Sequence, residues 1–354
     1  MTWPMWAPNP PCCTDLKMHY RAPAWLPGGH LQTIWSALYA RRRQSRALPL
    51  MRERWTTPDG DFVDVDRQSA SVATRPMLVM FHGLEGSSQS HYAQAFADWA
   101  ASHDVHFALP HFRGCSGEMN HAPRAYHSGD HQEIDWLLKR LRQQHEASGG
   151  QGVVAVGVSL GGNALMRWVA EQGGHAAQSV DAVASICSPL DLLQSGRAIG
   201  EGFNRQVYTR MFLRTMKPKA LAKLAQHPGL FDRTALLAAR DLYEFDNVFT
   251  APLHGFKSTE DYWTRASAKP LMREIRIPAL ALNALNDPFV PEVSLPKKSE
   301  VSSTVTLWQP SQGGHVGFAQ GAWPGHVCGL PHAVGQWLFS SAGLRLKVQE
   351  KVYG

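Results

Sequence analysis

The hydrophobic positions of the chain fall into short runs that are separated by glycine-bearing or polar turns. Eight of these runs have the length of strands and are rich in small, β-branched and aromatic residues. Several show no alternation, which is typical of strands buried on both faces of a parallel sheet. The pattern predicts strands at Glu53–Thr57, Phe62–Asp66, Met77–Phe81, Val105–Leu109, Gly152–Val158, Asp181–Ile186, Ile277–Ala284 and Val301–Trp308.

Segments with helical spacing lie between these runs, and 44% of the residues are hydrophobic, which is ample for a sizeable core. The fold class is therefore α/β, with an eight-stranded, mostly parallel sheet and helices between the strands. The sixth and seventh strands are separated by a gap, from about Pro189 to Met272, that is too long for one crossover. Helical patterns occur in it at Asn204–Leu213, Pro218–Gln226 and Thr234–Tyr243.

We interpret residues 189–272 as a helical cap inserted over the face that carries the site, where it would bury a hydrophobic group. The alternative is a purely structural excursion. In this division residues 1–50 form an N-terminal segment packed on the core. The core itself consists of residues 51–188 and 273–354.

One motif points to chemistry. Gly157-Val158-Ser159-Leu160-Gly161 follows a buried strand and leads into a helix, which is the context in which GxSxG forms a nucleophile elbow. The turn is so tight that the serine backbone is strained and its hydroxyl projects from the sheet. We predict that Ser159 is a nucleophile, and the alternative is a structural glycine-rich turn.

A serine hydroxyl needs a base to take its proton and an acid to orient that base. In this fold they follow in the order Ser, Asp or Glu, His. Asp287 lies in the turn after the seventh predicted strand, and His315 lies in the loop after the eighth. Since the carboxyl ends of parallel strands meet at one edge, we predict that Asp287 and His315 complete a triad with Ser159.

The reaction also needs donors for the oxyanion of the tetrahedral intermediate. We assign them to the backbone N–H groups of Leu84, in the glycine-bearing loop after the third strand, and Leu160. The two leucine side chains would then line an acyl pocket. For His82, which begins the same loop, we favour a bracing role by hydrogen bonding over proton transfer.

Six segments between residues 26 and 318 carry a resemblance to a known family. They are LPGGHLQT at 26–33, HGLEGS at 82–87, FRGCSGE at 112–118, YHSG at 126–129, GVSLGGN at 157–163 and GGHVGF at 313–318. The chain resembles the YheT-type family of the α/β-hydrolase-fold superfamily, esterases with eukaryotic relatives that act on lipid esters. The resemblance implies the α/β-hydrolase fold and the triad Ser159, Asp287 and His315. His111 and Asp130-His131 depart from the family's pattern, which leaves the substrate open.

The residues thus predict a serine carboxylic-ester hydrolase that acts on a small-molecule acyl ester through an acyl-enzyme, with no cofactor and no metal ion. Three alternatives remain: a lipase or phospholipase at a membrane surface, a thioesterase or acyltransferase with the same triad, and a binding protein on the same fold. His227 and Asp232 fit an HxxxxD pattern of some acyltransferases. They lie in the predicted cap, away from the triad's setting.

The charge distribution and the cysteines add little evidence about the function. The net charge is +6, and one dense basic cluster occurs at Arg41-Arg42-Arg43 and Arg46, without a nucleic-acid fold signature. We read it as a solvated helix face, with a patch for phospholipid headgroups as the alternative.

No run approaches the ~18 apolar residues of a membrane span, and the N-terminus lacks a secretion signal, so we expect a cytoplasmic protein. Five cysteines without framework spacing indicate free thiols. The sequence carries no signal for an oligomeric state.

Overall fold

The computed structural model describes residues 20–40 and 50–346. Eight strands form one sheet in the order β1-β2-β4-β3-β5-β6-β7-β8. The strands β1 and β2 are antiparallel to each other and β2 is antiparallel to β4, whereas all remaining pairs are parallel. Their bounds are β1 Met51–Thr56, β2 Phe62–Gln68, β3 Met77–Phe81, β4 His106–Pro110, β5 Val153–Val158, β6 Ala182–Ile186, β7 Ala279–Leu282 and β8 Val305–Trp308. The expected sheet is confirmed.

The central strands are buried on both faces, as their continuous apolar runs predict. Every residue of β3, β5, β6 and β7 is buried. The eighth strand is shorter than the expected Val301–Trp308, because Lys298–Glu300 forms a 3₁₀ turn and Val305 N–H donates to Ser302 O at 3.2 Å. Val301 therefore lies before this turn, and the residue pairing with β7 begins at Val305.

Two layers of helix cover the sheet. One face carries α2 and α12, and the other carries α3 and α4, so that each face has its own hydrophobic core. A short helix, α1, precedes β1 and continues as a π turn at Ser36–Ala40. The bounds are α1 Gly28–Trp35, α2 His91–Ser102, α3 His131–Ala147, α4 Leu160–Gln172 and α12 Gly329–Ser341.

Helices also fill the insertion between β6 and β7, as the sequence predicts, and we call this insertion the cap. Their bounds are α5 Leu192–Ile199, α6 Gly202–Asn204, α7 Arg210–Gln226, α8 Arg233–Ala238, α9 Leu242–Val248, α10 Thr250–Leu253 and α11 Thr259–Ala266. A π turn at Arg205–Thr209 joins α6 to α7, and a 3₁₀ segment at Lys269–Glu274 leads back to the sheet.

Two of the expected helix boundaries in the cap are wrong. Pro218 does not start a helix but lies inside α7, which runs on through it. The expected helix Thr234–Tyr243 is two helices, α8 and α9. They are separate because the Asp241 carboxylate caps α9, accepting from Glu244 N–H at 2.9 Å.

Candidate active site

The turn between β5 and α4 holds Ser159 in a strained backbone conformation, with φ of 53° and ψ of −121°. A Cβ at Gly157 would lie 2.5 Å from Gly161 O, and one at Gly161 would lie 2.4 Å from His82 O. Only glycine therefore fits on either side of the serine. Ser159 N–H donates to Ile186 O at 2.9 Å, which fixes the turn to the end of β6.

Ser159, His315 and Asp287 are in hydrogen-bond contact. His315 Nε2 lies 3.0 Å from Ser159 Oγ, and His315 Nδ1 lies 2.9 Å from Asp287 Oδ2. The second oxygen of Asp287 accepts from Phe289 N–H at 2.8 Å. The Asp287 side chain is fully buried and that of His315 is 10% exposed, so one side of the imidazole is held in a dry environment while the other reaches the serine.

Helix α1 braces the loops that carry His315 and Asp287. Thr33 Oγ1 accepts from the N–H of His315 at 2.8 Å, and Gln32 Oε1 accepts from that of Gly313 at 2.8 Å. Asn286 donates to the same Gln32 oxygen at 3.1 Å. The sequence predicts an N-terminal segment packed on the core but does not reveal these bonds, because their partners are more than 250 residues away along the chain.

The two residues whose amides are assigned to the oxyanion, Leu84 and Leu160, both lie beside Ser159 in the lining of one cavity. Leu160 is the first residue of α4, a position whose N–H has no acceptor within the helix. In the loop after β3, a Cβ at Gly83 would lie 3.1 Å from Ser159 Cβ, so this loop rests against the serine. Gly83 N–H donates to the Tyr92 hydroxyl at 2.9 Å, which ties the residue before Leu84 to α2.

His82 is completely buried and has a bracing geometry. Its Nδ1–H donates to Gly83 O at 2.8 Å, and its Nε2 accepts from Phe112 N–H at 3.1 Å. Burial lowers the pKa of His82 to about 3, which keeps the imidazole neutral. Both ring nitrogens are used within the protein, which leaves neither for proton transfer to a substrate.

A cavity opens beside Ser159 and extends under the cap. Its empty volume is about 1140 Å³, the part open to solvent included. Ser159, His315, Leu84 and Leu160 all line it. The cap contributes a mainly apolar wall of Leu192, Ile199, Phe212, Met216, Leu242, Phe245, Phe249 and Trp263.

One ion pair joins the cap to the loop of Leu84. Lys219, on α7, places its Nζ 2.9 Å from Oε2 and 3.0 Å from Oε1 of Glu85. Glu85 has a φ of 55°. Its N–H donates to the Tyr126 hydroxyl at 3.0 Å, and the Tyr126 hydroxyl in turn donates to the Glu85 carboxylate at 3.0 Å. No pattern in the sequence singles out Lys219, because helical lysines are usually solvated.

The remaining candidates from the sequence lie elsewhere. His227 Nε2–H donates to His121 O at 2.7 Å and Asp232 caps α8, and neither residue lines the cavity. The basic cluster Arg41-Arg42-Arg43 and Arg46 lies outside the described residues. Within residues 20–40 and 50–346, no group of three or more His, Cys, Asp or Glu side chains is placed to hold a metal ion. No helix in the same described part of the chain is both long and apolar enough to cross a bilayer.

Known proteins share this fold and much of the sequence. A family model described as alpha/beta hydrolase fold matches residues 76–322. The protein named Putative esterase YheT from Escherichia coli (strain K12) is 36% identical over 313 residues, which cover 87% of this chain and 89% of that one. Phospholipase ABHD3 of Mus musculus is 26% identical, over 76% of this chain and 66% of its own length.

A Pyrococcus furiosus esterase of known structure superposes with a TM-score of 0.53 at 13% identity, covering 86% of this chain and 96% of its own, and so shares the fold. The family model covers well over half of the chain, and the similarity to the Escherichia coli protein extends over nearly all of both sequences. The chain therefore belongs to the alpha/beta hydrolase fold family and, within it, to the YheT-type members.

Proposed function

We propose that this protein is a serine hydrolase of carboxylic esters that works through an acyl-enzyme. His315 Nε2 takes the proton of Ser159 Oγ as the oxygen attacks the ester carbonyl, and the Asp287 carboxylate stabilises the imidazolium. The N–H groups of Leu84 and Leu160 donate to the oxyanion. The proton then passes from His315 to the leaving alcohol, and water activated by the same imidazole hydrolyses the acyl-enzyme.

The observation that carries the proposal is the contact of Ser159, His315 and Asp287 at the mouth of an apolar cavity. A polar reacting centre joined to an apolar wall suits a substrate with an ester carbonyl and a hydrocarbon arm. Relatives named as an esterase, a phospholipase and a monoacylglycerol lipase support ester hydrolysis. In this proposal residues 189–272 act as the cap that receives the acyl arm.

The decisive experiment combines hydrolysis of p-nitrophenyl esters with labelling by a fluorophosphonate probe, in wild type and Ser159→Ala. We expect the variant to lose both signals while it keeps its far-UV circular dichroism spectrum, because alanine removes the nucleophile and fills the same space. Ser179→Ala is the matched control: this serine is also buried, at 2% exposure, but it lies before β6 at the opposite edge of the sheet.

Undiminished turnover in the folded Ser159→Ala variant would refute the proposal. Acyl-CoA thioesters and alternative acceptor alcohols belong in the same assay. If transfer to an acceptor, or thioester cleavage, exceeds ester hydrolysis in kcat/KM, then the triad serves a different acyl reaction.

A further inference from the structure

The cap helix α7 and the turn before it separate the cavity from solvent. From Gly202 to Gln226 the backbone is helical throughout, first as α6, then as the π turn and then as α7. One stripe of α7, spaced at helical intervals, lines the cavity: Phe212, Met216, Lys219, Ala220 and Lys223. The segment is thus one wall of the cavity, and its opposite face looks outwards.

That outer face is apolar. Phe203, Val207 and Met211 follow one another at intervals of four residues and are 53%, 37% and 51% exposed. Leu31 of α1 is 50% exposed, and its neighbour His30 packs its ring 4.6 Å from that of Phe203. Single exposed apolar residues are ordinary, whereas a continuous stripe that runs onto a second helix marks a contact surface.

The same face is cationic. Arg210 and Arg214 are exposed and lie beside the apolar stripe in the helical repeat. Among the described residues no ion pair is formed by either arginine, whereas Arg205 lies 4.0 Å from Asp241. The segment from Gly202 to Gln226 contains six lysines and arginines and no aspartate or glutamate. We call Phe203, Val207, Arg210, Met211 and Arg214 the outer stripe of α7.

We propose that the outer stripe of α7 docks on an anionic lipid surface. An apolar ridge flanked by unpaired arginines matches the boundary between acyl chains and anionic headgroups, where an amphipathic helix lies in the plane of the interface. The position of the helix adds a reason: an amphiphile that leaves the bilayer would have to pass only one helix, about 10 Å across, to reach the cavity. The proposal rests on the proposed function for the identity of that amphiphile as an ester.

Sedimentation with vesicles tests the docking. We expect the wild-type protein to bind vesicles that contain phosphatidylglycerol, to bind pure phosphatidylcholine vesicles weakly, and to be released by salt. Arg210→Gln combined with Arg214→Gln should weaken binding about 30-fold, from roughly 1 kcal/mol per cation near an anionic surface. Phe203→Ser combined with Met211→Ser should weaken binding to both vesicle types.

Matched control variants test whether vesicle binding depends on the outer stripe itself or on any exposed cations and apolar side chains. Arg233→Gln with Lys257→Gln removes two exposed cations from α8 and the loop before α11. Met51→Ser with Val72→Ser removes exposed apolar side chains from β1 and from the loop between β2 and β3. We expect both control proteins to bind like the wild type.

Equal binding by the outer-stripe variants and the wild type would overturn the proposal, as would the absence of wild-type binding. A wild-type protein that associates with another protein through this stripe but ignores vesicles would also overturn it. Hydrolysis of a water-soluble p-nitrophenyl ester without vesicles tests the proposed function separately. A protein that binds vesicles through the stripe but neither hydrolyses esters nor reacts with fluorophosphonate would refute the esterase and leave the docking in place.

Discussion

The site has two halves that are built in different ways. The sheet supplies Ser159, Asp287 and His315, each in a short turn at the end of a strand and each within about 3 Å of its partner. The cap supplies a wall of side chains from several helices that lie between Leu192 and Trp263 and make mainly apolar contact with the cavity. The first half specifies the positions of individual atoms, and the second specifies a volume.

This difference predicts how each half responds to mutation. Hydrogen bonds and strained backbone tolerate little displacement, so a change of one atom in the sheet half should alter kcat greatly. An apolar wall can repack, so changes in the cap half should alter which substrates fit and by modest factors. The Lys219–Glu85 ion pair links the two halves, because Lys219 lies on the cap and Glu85 lies in the loop of Leu84.

The largest effect after loss of the serine itself is expected for Asp287→Asn. The amide keeps the shape of the carboxylate and can still accept from Phe289 N–H, but it favours the wrong tautomer of His315 and cannot stabilise an imidazolium. We expect a fall of about 10⁴ in kcat, which is the size of the effect of the same substitution in a serine protease. Steady-state hydrolysis of p-nitrophenyl esters measures it. A rate within tenfold of wild type would mean that a different carboxylate holds His315.

Lys219→Met should have an intermediate effect. Methionine keeps the aliphatic length of the side chain but removes the cation that holds Glu85, the residue next to Leu84 in the loop. Since loss of a whole oxyanion donor lowers kcat by about 10²–10³, partial misplacement should lower it by roughly tenfold with little change in KM. Lys217→Met is the control, because Lys217 lies on the same helix and donates to Leu237 O at 2.8 Å, outside the cavity.

Two further variants show whether Lys219 positions the loop or only contacts substrate. Lys219→Arg should restore much of kcat, and Lys219→Met with Glu85→Gln should lose no more than the worse single variant, as expected for residues that act as one unit. A rise in KM confined to anionic esters, with kcat unchanged, would instead make Lys219 a substrate contact.

Met216→Ala should change chain-length preference by a smaller factor. Met216 lines the cavity from α7, so its truncation gives the acyl arm more room, and each added methylene contributes roughly 0.8 kcal/mol, or about fourfold in kcat/KM. We expect the optimum acyl length to increase by about two carbons. Leu224→Ala, on the same helix but outside the lining, should keep the wild-type profile. Identical profiles for all three proteins would assign chain-length selection to the loops of the sheet half.

The smallest effect concerns stability. Burial raises the pKa of Asp246, a cavity-lining residue of α9, from 3.8 to about 6, against the hydrogen bonds it accepts from Thr250 and Trp263. A raised carboxyl pKa stabilises the fold fully below pH 3.8, and this contribution is lost as the pH rises through about 6. Asp246→Asn should therefore raise stability above pH 7 by about 1 kcal/mol, since the half-buried residue is partly screened by solvent.

Thermal unfolding of wild type and Asp246→Asn at pH 5 and pH 8 checks this. The gap in Tm between the two proteins should be larger at pH 8. A gap that is larger at pH 5 would show that the native state holds Asp246 as a stabilised carboxylate.

The sequence predicts the sheet half well because its signals are local. A strand, a glycine turn and a helix specify the geometry at Ser159 within a few residues, and the chain order of the strands then brings Asp287 and His315 to the same edge. The catalytic roles of these three residues, and of Leu84 and Leu160, remain predictions until the variants are measured. The cap is less predictable, because the packing of separate helices decides which of its side chains face the cavity. Pro218 led to a wrong helix boundary, since the helix continues through it despite the low helix propensity of proline.

The hydrogen bonds from the loop of His315 to Gln32 and Thr33 limit how far the chain can be truncated at its N-terminal side. The family model begins at residue 76, long after α1, so the fold shared with other hydrolases contains the serine, the acid and the histidine but not the side chains that fix the histidine's backbone. A fragment trimmed to the residues that the family model covers would retain Ser159, Asp287 and His315 but would lack the anchors of the His315 loop. We therefore expect the smallest active fragment to be longer than the region that the family model covers.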